Sequence, residues 1–187
     1  IASLGNMTDV PNEDAYLIRG KGGNWNQWYK VSLPNMDTTL FLDKDCFIYK
    51  GNDLFVEELV LSEDGKIALL KTDVKRLWRY SNIGTYFILM IESKVLTALT
   101  EDNIELRNVK FSPNGNFLAY IRNDNNLYTY EIKRKKEKKL TITGSKTIFN
   151  GHFGWLYEEE LAGYDGYRWS PDSKSIAYWE EDESMVP

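Results

Sequence analysis

Short apolar runs separated by polar turns dominate this chain, and one arrangement of them recurs. The copies are Leu61-Ser62-Glu63-Asp64-Gly65-Lys66-Ile67-Ala68-Leu69-Leu70, Phe111-Ser112-Pro113-Asn114-Gly115-Asn116-Phe117-Leu118-Ala119-Tyr120 and Trp169-Ser170-Pro171-Asp172-Ser173-Lys174-Ser175-Ile176-Ala177-Tyr178, and their starts lie 50 and 58 residues apart. Each reads as an apolar strand end, a Ser-Pro-Asp-Gly-type turn, and a strand rich in β-formers. Pro at the second turn position fixes φ, and Gly at the fourth tolerates φ > 0. A further strand is predicted after two of the copies, over residues 86–91 and 127–132. Upstream the pattern is less regular, with short strands predicted over 15–18, 28–31, 39–42, 46–49 and 53–56 and turns at Gly20 to Gly23 and at Pro34-Asn35.

A period near 50 with several short strands per unit is the signature of a β-propeller blade. The expected fold is therefore all-β, a partial β-propeller whose 187 residues hold three to four blades. Four blades close a ring in principle. An arc of a larger ring is the favoured reading, because open ends expose blade faces that neighbours would cover.

Gly154-Trp155-Leu156-Tyr157-Glu158-Glu159-Glu160-Leu161 breaks the strand pattern. Its residues suit one or two turns of helix, inserted between two repeats. Two readings of the Glu triplet follow: a solvated acidic turn, or a site for a cation. The flanking Trp155, Tyr157, Tyr164 and Trp169 suggest a walled pocket, and propeller insertions often carry function, which favours the second. Neighbouring glutamates on a helix diverge by about 100°, yet Glu159 and Glu160 are long enough to converge on one ammonium while Glu158 turns away. Lys75-Arg76-Leu77-Trp78-Arg79-Tyr80-Ser81 is a second candidate, either a surface hairpin with a cationic tip or a brace for the acidic cluster.

Composition narrows the options. Hydrophobic residues make up 42% of the chain and aromatics 14%, as in a globular protein, and the net charge of -5 argues against general nucleic-acid binding. Cys46 is the sole cysteine, so no internal disulfide forms, and no apolar run approaches a membrane span. The chain starts at Ile1 without a signal-peptide pattern, so it is expected to be a fragment or a processed product. No Gly-x-Ser-x-Gly elbow occurs, and the single histidine, His152, reads as a structural or solvated loop residue. Neither zinc-type nor calcium-type ligand spacing is present, and no cofactor is expected. Gly20-Lys21-Gly22-Gly23 reads as a hairpin turn and not a phosphate loop. The basic run Lys133 to Lys139 reads as a hairpin tip whose lysines discourage edge pairing, with an anionic partner as the alternative. Asn24 to Tyr29 reads as an aromatic strand, with sugar stacking as the alternative, and Asn6-Met7-Thr8 fits a glycosylation sequon.

Together, Lys75 to Ser81, Trp155-Leu156-Tyr157-Glu158-Glu159-Glu160 and Trp169-Ser170-Pro171-Asp172 resemble the dipeptidyl peptidase IV family of serine exopeptidases, in order and in spacing. The resemblance is specific from about Leu59 onward and weak before it. It implies an eight-bladed N-terminal propeller, of which residues 1–187 would be part, followed by an α/β-hydrolase domain that this chain lacks. It also implies that Glu159 and Glu160 bind the free α-ammonium of a peptide and that Arg79 contacts a substrate carbonyl. Glu158, Tyr157, Trp155 and Trp78 would support that pocket. Two residues extend only about 7 Å, so an ammonium clamp on a blocked wall measures out an N-terminal dipeptide. The full-length protein would be a serine-type dipeptidyl peptidase releasing X-Pro or X-Ala dipeptides, and this piece alone would be inactive. Its partners would be peptides with a free N-terminus, the hydrolase domain of its own native chain, and a second copy in a homodimer. An extracytoplasmic setting is favoured, with the cytoplasm as the alternative. The family's Asp before the motif Trp is Gly154 here, and Leu161-Ala162-Gly163 also departs from it, which bears on fine specificity. The competing readings are a non-catalytic propeller scaffold and a TolB-like binding propeller.

Overall fold

The computed structural model describes residues 7–22, 25–101 and 104–186. Asn6 of the sequon and the residues Gly23 and Asn24 lie outside that set. The described chain is nearly all β, with its strands paired antiparallel, and it divides into two compact units.

The first unit holds residues 7–73 and 86–101. Its strands β1 (Met7–Asp9), β2 (Ala15–Arg19), β3 (Trp28–Ser32) and β4 (Thr38–Leu42) make one blade in sequence order. A two-residue ladder follows, β5 (Ile48–Tyr49) with β6 (Asn52–Asp53). The second blade runs β7 (Glu58–Leu61), β8 (Ile67–Arg76), β9 (Asn82–Met90) and β10 (Leu96–Ala98). Its two central strands carry unbroken buried stretches and not an alternation, as expected where both faces are covered. Leu17, Trp28, Leu42, Phe47, Leu59, Leu70 and Phe87 belong to the core of this unit.

Two predicted strands are shorter or absent here. Cys46 and Phe47 lie in a 3-10 turn, Lys44–Phe47, because the Asp43 carboxylate accepts the Lys44 N–H at 2.7 Å and caps it. Both side chains are buried, so the strand alternation they suggested does not exist. Residues 54–56 are irregular, since the ladder ends at Asp53. The connection Lys50-Gly51 has φ of 49° and 82°, the doubly left-handed geometry of a tight two-residue hairpin.

The second unit holds residues 74–85 and 104–186, and so includes the outer ends of β8 and β9 with the turn between them. Its blade is β11 (Arg107–Phe111), β12 (Phe117–Ile121), β13 (Leu127–Glu131) and β14 (Lys136–Lys139). The basic run lies on the edge strand β14 and the turn before it, where charge hinders further pairing. Two more ladders follow, β15 (Ile148–Asn150) with β18 (Glu180–Asp182), and β16 (Tyr167–Trp169) with β17 (Ile176–Tyr178).

The recurring turn has one hydrogen-bond plan in all three copies. Ser62, Ser112 and Ser170 each donate a hydroxyl to the side-chain oxygen two residues on, at 2.8, 2.8 and 2.6 Å. Each also accepts the N–H five residues on, at 3.0, 3.0 and 2.9 Å. The fourth turn residue is left-handed in every case, Gly65 at φ 68°, Gly115 at 69° and Ser173 at 61°. This is why glycine occupies two of the three.

The single α-helix among the described residues, α1 (Trp155–Leu161), lies between β15 and β16, where the sequence predicts it. The loop leading into it is held by backbone contacts across two glycines. Gly151 N–H reaches the Trp179 carbonyl at 2.8 Å, and Gly166 N–H reaches the Gly151 carbonyl at 3.0 Å. A Cβ at Gly166 would fall 2.9 Å from the Gly151 carbonyl carbon, so only glycine permits this approach. Beneath the loop, Tyr167 packs with Ala119, Ile121 and Leu127 and donates its hydroxyl to the Ala119 carbonyl at 2.7 Å. No helix among the described residues is long and apolar enough to cross a membrane.

Candidate amine-binding site

The site is built within the second unit from helix α1 and the turn joining β8 to β9. Two residues fix the turn from opposite chemical sides. The Arg76 guanidinium donates to the carbonyls of Trp78 and Arg79, at 2.8 and 2.7 Å. The Glu158 carboxylate accepts the N–H groups of Tyr80 and Ser81 on the same oxygen, at 2.6 and 2.8 Å. One side chain therefore gathers carbonyls and the other gathers amides, and the peptide planes of residues 78–81 are held at both poles.

Glu158 is 0% exposed. Burial alone would push its carboxyl pKa up. The Tyr80 and Ser81 amides and the nearby Arg107 charge outweigh that and hold it below its ordinary value, so the group is a buried anion. Its other oxygen, Oε2, has no hydrogen-bond partner among the described residues.

With Glu158 turned into the protein, the next carboxylate faces Arg79. Arg79 Nε lies 2.8 Å from Glu159 Oε2, with the side chains 60% and 17% exposed. Glu160, one position on, is exposed and makes no ion pair among the described residues. The structure thus brings Arg79 and Glu159 together and leaves Glu160 open to solvent beside them. Trp78 is half-buried. Trp155 and Tyr157 are 56% and 43% exposed, so these two aromatics stand open and do not form a closed wall. Tyr157 stacks on Phe153, with centroids 5.4 Å apart, and Tyr80 stacks on Tyr164 at 6.2 Å.

Behind the turn is a group that sequence reading did not place here. Arg107 Nη1 lies 2.5 Å from His152 Nδ1, and its guanidinium carbon is 5.5 Å from the Trp78 ring centroid. His152 Nε2 lies 2.9 Å from Asn125 Oδ1. Arginine can only donate, so Nδ1 is the acceptor and Nε2 carries the proton. His152 is 2% exposed, and burial first, then the Arg107 charge, lower its pKa to about 3. Of the two readings the sequence allowed, packed or solvated, the buried one is found.

Helix α1 itself is capped unusually. Gly154 at the N-cap has no side chain to offer, and its own N–H is taken at 2.8 Å by the carboxylate of Glu181. At the other end Ala162 is left-handed, with φ 53° and ψ 26°, and its N–H bonds the Glu158 carbonyl at 3.1 Å. Among the described residues no cluster of three or more His, Cys, Asp or Glu is arranged to hold a metal.

The family model described as the dipeptidyl peptidase IV (DPP IV) N-terminal region matches residues 62–187. The chain belongs to that family. It is 36% identical over 150 residues to dipeptidyl aminopeptidase B of Saccharomyces cerevisiae, covering 79% of this chain and 18% of the relative. The crystal structure of Porphyromonas gingivalis dipeptidyl peptidase 4 superposes with a TM-score of 0.88 at 22% identity, over 98% of this chain and 26% of that one. TolB from Acinetobacter baumannii reaches a TM-score of 0.50 at 18% identity, over 92% of this chain and 36% of that one. The likenesses to the two crystal structures speak for the fold, a partial β-propeller. The chain spans about a fifth of the length of the curated relatives it matches.

Proposed function

We propose that this chain is the amine-recognising part of the N-terminal propeller of a serine exopeptidase that releases X-Pro or X-Ala dipeptides from peptide N-termini. Residues 1–187 would belong to one propeller domain, with an α/β-hydrolase domain of the same native chain supplying the Ser, Asp and His. The observation that carries this reading is the Arg79–Glu159 pair with the open Glu160 carboxylate beside it on α1.

The chemistry follows from the groups present. An α-ammonium has three N–H donors, and two glutamates accept two of them while cancelling its charge. Arg79 engages Glu159 through Nε, which leaves guanidinium N–H donors for the carbonyl that follows the amine. Such a site distinguishes a free N-terminus from a blocked one, because an acylated nitrogen carries neither the charge nor the donors. The family membership and the relatives' printed activity, dipeptidyl aminopeptidase, support the same substrate class.

The test uses the full-length protein and an X-Pro amide with a free amine. Replacing Glu159 or Glu160 with Gln should lower kcat/KM by two orders of magnitude or more, on the order of 3 kcal/mol for a lost charge-assisted contact. Undiminished cleavage in both variants would overturn the assignment. Absence of cleavage by the parent protein, with retained binding of the peptide, would favour a non-catalytic propeller.

A further inference from the structure

We infer that Arg107, fixed by neutral His152, is a positioning residue for the amine site, acting on both ends of the turn that presents Arg79. The inference rests on the reading of Glu159 and Glu160 given above. At one end of the turn, the guanidinium stands over the Trp78 ring at 5.5 Å, a cation–π contact with the residue before Arg79. At the other end, its charge acts on Glu158, whose carboxylate clasps the amides of Tyr80 and Ser81. Arg79 lies between the two residues so supported.

His152 sets where that guanidinium sits. Its Nδ1 accepts from Arg107 Nη1 at 2.5 Å, and its Nε2–H is committed to Asn125 Oδ1 at 2.9 Å. The Asn125 amide is oriented in turn by its Nδ2, which donates to the Ser145 carbonyl at 2.7 Å. A continuous run of contacts therefore leads from the β12–β13 turn to Trp78 and on to Arg79. The Glu158 carboxylate, whose Oε2 is buried, is acted on by the Arg107 charge. The electrostatic requirement there is for a fixed cation close by, since an uncompensated buried carboxylate would draw in water or a proton. Arg107 meets it without touching the ligand, which leaves Arg79 available for the peptide.

The experiment measures how the full-length protein binds an Ala-Pro dipeptide with a free amine and its N-acetylated counterpart. It compares the parent with Arg107→Met, His152→Phe and His152→Asn, and records Tm alongside. Asn at 152 offers an Oδ1 acceptor where Nδ1 stood, whereas Phe keeps the bulk and removes the acceptor. Arg107→Met and His152→Phe should each reduce the preference for the free amine roughly tenfold, and His152→Asn should restore most of it. A structural role alone would lower Tm and leave that preference in place, which would overturn the inference. Equal loss in His152→Asn and His152→Phe would overturn it too. Should Arg107→Met not fold, the two His152 variants decide the matter. If Glu159→Gln and Glu160→Gln leave the preference unchanged, the amine-site reading itself fails. If they abolish it while Arg107→Met does not, only the role of Arg107 fails.

Discussion

Glu158 accepts the backbone N–H of Ser81 at 2.8 Å across 77 positions of sequence, and neither residue meets solvent to any extent. The bond ties a helix to a turn that would otherwise be an ordinary hairpin tip. Glu158 also accepts the Tyr80 N–H, so truncating it leaves two amides without an acceptor. Glu158→Ala is expected to destabilise the second unit by about 3 kcal/mol, at roughly 1–3 kcal/mol per orphaned donor. Urea unfolding of the full-length protein, followed by a probe in this unit, checks the figure.

His152 gives stability a definite dependence on pH. Its native pKa of about 3 lies below the ordinary 6.5, so the native state holds the ring neutral where the unfolded chain protonates it. The contribution is complete above pH 6.5 and is lost as pH falls through about 3. The slope should approach 1.4 kcal/mol per pH unit within that window. Glu158 acts in the same direction lower down, because its folded pKa is depressed and its contribution fades as pH falls below 4.5. His152→Asn should flatten the stability profile between pH 6.5 and 4.5, as measured by denaturant midpoints across that range.

Ala162 ends α1 in a left-handed conformation that suits glycine. A non-glycine residue there costs roughly 1–2 kcal/mol, partly offset by the greater flexibility of glycine in the unfolded chain. Ala162→Gly is therefore expected to stabilise the protein by about 0.5 kcal/mol. A small rise in Tm with unchanged secondary structure by circular dichroism would bear this out.

Gly154 should resist replacement by Asp, the residue that the resemblance drawn from the sequence puts at this position. An Asp at an N-cap ordinarily stabilises a helix by about 1 kcal/mol. Here its Cβ would fall 2.0 Å from Glu183 Oε1, and the Gly154 N–H already belongs to Glu181. Gly154→Asp alone should destabilise through crowding of like charges. In a Glu183→Ala background the same change should become neutral or stabilising. A double-mutant cycle measured by chemical denaturation reads out that reversal of sign.

The blades were legible in the sequence because their turns are self-contained. Ser62, Ser112 and Ser170 each bond partners within five residues, so the whole device is written in one short segment. Helix α1 was legible for a similar reason, as an interruption of strand pattern. The same local reading failed at Cys46-Phe47, where two adjacent β-prone residues are both buried and a cap from Asp43 bends the chain. The sequence turns Glu158 away from Glu159 and Glu160 without saying where it goes or what it meets. Its partners are backbone amides, which leave no trace in residue identity. Arg107 and His152 were invisible as a pair for want of any spacing rule joining positions 45 apart. A lone histidine beside glycines signals a packed loop, and only the fold tells what it packs against.

The clasp between α1 and the hairpin also dictates the order in which the two can be joined. During synthesis Arg79 leaves the ribosome long before Glu159 does, and until α1 has formed the guanidinium has no carboxylate to face. A nascent chain halted ahead of the helix would thus carry completed blades and yet lack both the Arg79–Glu159 pair and the carboxylate that grips the Tyr80 and Ser81 amides.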